Sequence, residues 1–142
     1  MADNVILPGA TGPFTSAAYD DSSVYTQKVS DARISTAHLI TAATTNATSV
    51  KASAGRLRAV SVYNNAAYPI YVKFHNTSGA PTPGSGVVYA VPCQAGQARD
   101  HVVAAGGRAF ATGIGMSVVK GIADADATAV AASDASIEVS YE

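Results

Sequence analysis

From Thr48 onward, apolar and polar residues alternate with a period of two, the spacing of strands whose successive side chains point to opposite faces. Thr48 to Ala52, Arg56 to Tyr63 and Ile70 to His75 read as strands, separated by Gly55, by Asn64-Asn65 and by Asn76 to Gly79. In the third of these, Ile70, Val72 and Phe74 share one face while Tyr71, Lys73 and His75 share the other, so the strand is expected to keep one wet face. A Pro/Gly-rich loop over Gly79 to Gly86 leads to a strand from Val87 to Val91, expected to end at Pro92. Further strands are expected at Ala98 to Val103, Arg108 to Thr112, Met116 to Lys120 and Ser136 to Tyr141. The Ala-rich stretch Asp124 to Ala135 lacks an apolar stripe and reads as a loop with room for one helical turn. About eight short strands at this spacing predict an all-β fold, a β-sandwich or jelly-roll-like domain, and exclude a βαβ arrangement.

The first fifty residues differ in texture. Residues 1–23 mix short apolar pieces with Pro and Gly, a composition that neither closes a helix nor sustains a long ladder, and they read as an extended N-terminal arm. Val5, Ile6, Leu7 and Phe14 would be costly to leave in water, so the arm is expected to lie on a neighbour or along its own domain's edge. Residues 24–142 form the expected sandwich domain, with short strands around Val24 to Val29 and Ile34 to Leu39 at its start.

Composition narrows the partners. Only 13% of the 142 residues are charged and the formal net charge is −1, which excludes the Lys/Arg-dense surface that a phosphate backbone requires. Nucleic acid is therefore not an expected partner. Hydrophobic residues reach 48% but aromatics only 7%, so much of the apolar content is Ala and Val and the core should be thin. A chain with so little charge tends to set its Ala, Ser, Thr and Gly surface against other protein. No apolar run approaches the roughly 18 residues of a membrane span and no signal-peptide pattern opens the chain, so the expected site of synthesis is a cytosol, with no membrane partner.

Candidate chemistry is sparse. His38, His75 and His101 stand alone, without metal-ligand spacing, and no G-x-S-x-G elbow supports a nucleophile. Glu138 and Glu142 are the chain's two glutamates, so a paired-carboxylate site would need Asp residues drawn from loops. Asp124 to Thr128 spaces oxygen ligands like the opening of a calcium loop, but Ala129 and Ala135 occupy the places where that loop needs Gly and Glu. Gly113-Ile114-Gly115 reads as a bulge or a close approach of two backbones rather than a phosphate cradle. Cys93, the single cysteine, reads as a small buried hydrophobe near a strand end. Tyr63, Tyr68, Tyr71 and Tyr89 suit either a sugar-stacking platform or a protein interface; Tyr68 and Tyr71 are the preferred interface candidates. The expectation is a non-enzyme without catalytic residues, cofactor or metal.

One ordered set of segments looks familiar. It runs from Arg58 to Phe74 (RAVSVYNNAAYPIYVKF), through APTPGSG at Ala80 to Gly86 and Val91-Pro92-Cys93-Gln94-Ala95-Gly96. It closes with Phe110-Ala111-Thr112-Gly113-Ile114 and Gly121 to Asp126 (GIADAD). Over about residues 56 to 142 this set resembles small virion proteins of tailed bacteriophages. The resemblance implies a structural role as a head decoration (cement) protein on the capsid surface, assembled in the host cytoplasm. Its implied partners are the major capsid protein and further copies of itself, with a homotrimer expected from the three-fold sites of a shell lattice. The alternatives are an adhesive module of a fibre or spike and a tail accessory subunit.

Overall fold

The computed structural model describes residues 33–142. Among them the chain is all-β, without a helix, and builds two antiparallel sheets. The strands are β1 (Ser35–Ile40), β2 (Thr48–Lys51), β3 (Gly55–Asn64), β4 (Ile70–Asn76), β5 (Val87–Cys93), β6 (Ala98–Val102), β7 (Arg108–Phe110), β8 (Ile114–Val119) and β9 (Ala135–Tyr141). The first sheet runs β1-β9-β3-β6, with β7 pairing the start of β3; the second runs β2-β8-β4-β5. The expected arm residues Val5, Ile6, Leu7 and Phe14, and the expected strand Val24 to Val29, lie outside the described residues.

The sheets face each other in a sandwich-like arrangement over one apolar core. Leu57, Val60 and Val62 of β3 and Ile137 and Val139 of β9 supply one side. Ile70, Val72 and Phe74 of β4, Val91 of β5, and Ile114, Met116 and Val118 of β8 supply the other. Ile70, Val72 and Phe74 form the face that the period-two pattern set opposite the polar one, whereas Leu57 and Val60 both turn inward because the pairing of β3 with β9 shifts register between Leu57 and Ala59. Each fully buried side chain contributes about 1.5–3 kcal/mol of hydrophobic stabilisation. The core's fully buried aromatics are Phe74 and Phe110, with Tyr89 tilted against Phe74 at 6.5 Å between ring centroids. Cys93 closes β5 in this core, its Sγ donating to the Gln97 carbonyl at 3.2 Å.

Three expectations need correction. The strand at residue 87 does not stop before Pro92 but runs through it to Cys93, with Pro92 opposite Tyr71. β5 is an edge strand, so the missing proline N–H has no second neighbour to serve. The strand expected from Met116 begins at Ile114, because Gly115 is extended and paired with both Ser49 and His75. The largest departure concerns β4, whose Lys73 and His75 are buried instead of facing water. Their face of the second sheet is covered by the chain's own loops, one running from Thr77 to Gly86 and the other from Gly121 to Thr128.

Two glycines make that cover fit. A Cβ on Gly115 would stand 2.6 Å from the Thr77 methyl and 3.2 Å from Pro81, so the first loop lies directly on the strand. Gly84, at φ +83°, takes the left-handed turn that brings the two loops together, with its Cβ position 2.8 Å from the Ala125 carbonyl oxygen. Gly115→Val is expected to overpack this contact and lower the unfolding free energy by about 1–3 kcal/mol. Urea denaturation should show a lower midpoint at unchanged m-value.

Candidate interaction surface

The two outer faces of the sandwich have opposite characters. On the second sheet, Lys73 stands in the middle of β4, flanked by Ser117 of β8 and Ala90 of β5. Its Nζ reaches outward to the Ala123 carbonyl at 2.5 Å and the Asp126 carbonyl at 3.3 Å, which fastens the Gly121 to Thr128 loop across the strand. Asp126 closes the same loop from within. Its carboxylate accepts the Thr128 N–H and hydroxyl at 3.0 Å each and the Gly121 N–H at 3.1 Å. Those donors, the Thr128 N–H foremost, hold the Asp126 carboxyl below its ordinary value. Both Asp126 oxygens are thus used by the loop's own donors, and the calcium-like spacing of Asp124 to Thr128 serves loop closure. Among the described residues no group of three His, Cys, Asp or Glu side chains converges to hold a metal ion.

His75 fastens the other loop. Its Nδ1 lies 2.9 Å from the Ser85 carbonyl, which an N–H must satisfy, and its Nε2 lies 2.9 Å from the Ser117 hydroxyl. With the proton on Nδ1, Nε2 accepts from Ser117. This Ser–His contact has the distance of a nucleophile and its base, with Ser117 fully buried between the strand and its covering loop. Burial lowers the His75 pKa from its ordinary 6.5, with nearby Lys73 adding to the effect and hydrogen bonds opposing it.

The first sheet presents an open face. Its strands align His38 of β1, Glu138 of β9, Ser61 of β3 and Asp100 of β6 in one row, each directly opposite the next. The adjacent row runs Ile40, Ser136, Tyr63 and Ala98. Small residues form the floor, and a hollow of about 190 Å³ lies between Tyr63, Glu138 and Asp100. His38 Nε2 contacts the Ser136 hydroxyl at 3.0 Å across the row. Ile40, Tyr63 and Val102 are 60%, 56% and 78% exposed, and Ile34, which continues the alternation of β1 onto the same side, is 63% exposed.

The sequence-derived candidates separate on this geometry. Tyr68 is half-buried at the end of the sandwich, its hydroxyl donating to Asp134 and accepting the Ala131 N–H at 3.2 Å, with Lys120 Nζ 4.1 Å from its ring centre. It holds the segment leading into β9. Tyr71 lies half-buried on the covered side of the second sheet, opposite Pro92 and Val119. Tyr89 bonds His101 Nε2 through its hydroxyl at 2.5 Å and carries Arg108 5.2 Å from its ring centre. Only Tyr63 reaches the open face, so the four tyrosines do not form one platform. The residues that sequence reasoning passed over are Ser61, Asp100 and Glu138: their alternation was visible, but their shared row depends on strand order. No protein-family model matches the chain, and no curated protein is similar to it.

Two tests follow from these contacts. The folded state keeps His75 neutral, whereas the unfolded chain protonates it near pH 6.5, so the unfolded state binds more protons as pH falls. The stability that this histidine contributes is complete above about pH 6.5 and declines as pH drops toward its lowered folded value. His75→Gln, which cannot titrate, should flatten that part of the profile in urea titrations at pH 7.5 and 5.5, with His38 and His101 common to both proteins. Tyr68→Phe removes the hydroxyl's bond to Asp134, whose carboxylate still accepts the Ala131 N–H at 2.7 Å, and is expected to cost about 0.5–1.5 kcal/mol in the same assay.

Proposed function

We propose that this protein is a virion structural protein of a tailed phage, a head decoration (cement) protein that binds the capsid lattice and stabilises it through protein–protein contacts. The observation that carries the proposal is the contrast between the outer faces. One sheet is covered by the protein's own loops, while the other leaves an open surface bearing four of the six exposed large hydrophobic residues among those described. A body that seals one side and leaves the other bare suits a part that sits on a larger assembly. The resemblance of residues 56–142 to small virion proteins supplies the kind of assembly.

The finer features belong to the same proposal: a jelly-roll-like connectivity, an extended arm over residues 1–23 whose Val5, Ile6, Leu7 and Phe14 order on a neighbour, and a homotrimer at three-fold lattice sites. Ordering such an arm costs roughly 1–2 kcal/mol per residue, which its apolar contacts must offset. The partner is the major capsid protein, and the working location is the capsid surface, reached by assembly in the host cytoplasm.

Co-sedimentation with expanded heads of the phage that encodes the chain tests this. Saturable binding to heads, absent with unassembled shell subunits, is the expected result. Absence of head binding overturns the proposal; rings or rods of the isolated protein would then point to a tail subunit, and adsorption to host cells to a fibre or spike module.

A further inference from the structure

We infer that the open face of the first sheet receives a protein surface presenting an arginine ringed by apolar side chains. The inference rests on the decoration reading only for the partner's identity, the shell subunit. Its chemistry comes from the face itself.

Asp100 and Glu138 lie on either side of Ser61, so their Cα atoms are two strand spacings apart, about 9.5 Å. The ion pairs among the described residues are those of Arg56 and Arg58 with Glu142, which leaves both carboxylates without a cation there. Between them the floor is Ser61, and the hollow of about 190 Å³ opens above it. A long side chain entering this hollow meets carboxylates on two sides and the ring of Tyr63 on a third. A guanidinium suits that surround better than an ammonium, because its planar fork donates to both carboxylates while its face stacks on the tyrosine.

The exposed apolar residues stand around this acidic row, with Ile40 and Tyr63 on one side and Val102 on the other. Covering them supplies the hydrophobic part of the contact, and excluding water there strengthens the charge pairing at its centre. The same charges decide against the simplest symmetric occupant. A second copy packed face to face would bring four carboxylates together with only two His38 side chains to oppose them, and like charges across an interface suppress such pairing.

The test uses two probes on the full chain. NMR titration with the blocked peptide Ile-Arg-Ile should shift the amides of Ser61, Ala98 and Glu138. The matching peptide Ile-Glu-Ile, and the variant Asp100→Lys with Glu138→Lys, should give no such shifts. Both substituted residues are exposed, and an unchanged urea midpoint will confirm that the variant folds. Equal shifts with both peptides, or none with either, overturn the inference. In head co-sedimentation the double variant should bind at least about tenfold more weakly than the wild type. Heads that bind both proteins equally refute the role of this face while leaving the decoration reading intact. Heads that bind neither, with the arginine peptide still selective, refute the decoration reading and leave the chemistry of the face. A wild type that self-associates in solution and becomes monomeric on charge reversal overturns the inference in favour of a second copy.

Discussion

Lys73 carries a long cationic side chain into a position with no access to water, and a buried polar group of that kind is tolerable only if its donors are met. The carbonyls of Ala123 and Asp126 accept two of its three donors, and they do so only when the Gly121 to Thr128 loop lies across β4. The loop in turn is held closed by the Asp126 carboxylate, and its neighbour is pinned by His75 and seated on Gly115. The covered face of the second sheet is therefore a polar layer in which strand side chains and loop backbone satisfy one another.

That layer determines where a partner has room. Among the described residues, with loops over the second sheet, the broad open surface is the outer side of the first, where strand order brings Glu138, Ser61 and Asp100 into one row and leaves Ile34, Ile40, Tyr63 and Val102 around them. The body beneath is secured by polar ties at one end. Asn64, fully buried, donates to the carbonyls of Tyr68, Cys93 and Gln94 and accepts the Ala66 N–H, linking β3 to the ends of β4 and β5. Tyr68 and Asp134 fix the entry to β9 beside it. A thin core of valine and isoleucine thus gains from hydrogen-bonded junctions part of the order that large aromatics would otherwise impose.

Much of this was legible along the chain. Alternation located the strands and set Ile70, Val72 and Phe74 on one face of β4, because burial of one face of a strand imprints a period of two. Leu57 and Val60 break that period and both point inward through the register shift in β3. Gly113-Ile114-Gly115 announced a close backbone approach, and Cys93 its burial. The alternation of Tyr71, Lys73 and His75 was equally clear yet pointed to water, since a polar face against solvent and a polar face against a hydrogen-bonding loop write the same letters.

Local pattern by itself determined the all-β class, the positions of the described strands within a residue or two, and the apolar face of β4, all of which follow from steric and hydrophobic preferences acting between near neighbours. Tertiary structure alone decided which polar face is sealed and which is open. It placed Tyr68 in a junction and left Tyr63 on the bare surface, and it aligned Asp100 with Glu138 across Ser61. The reason is physical: those outcomes depend on strand order and on where loops return, and each joins residues separated by tens of positions whose encounter no local preference encodes.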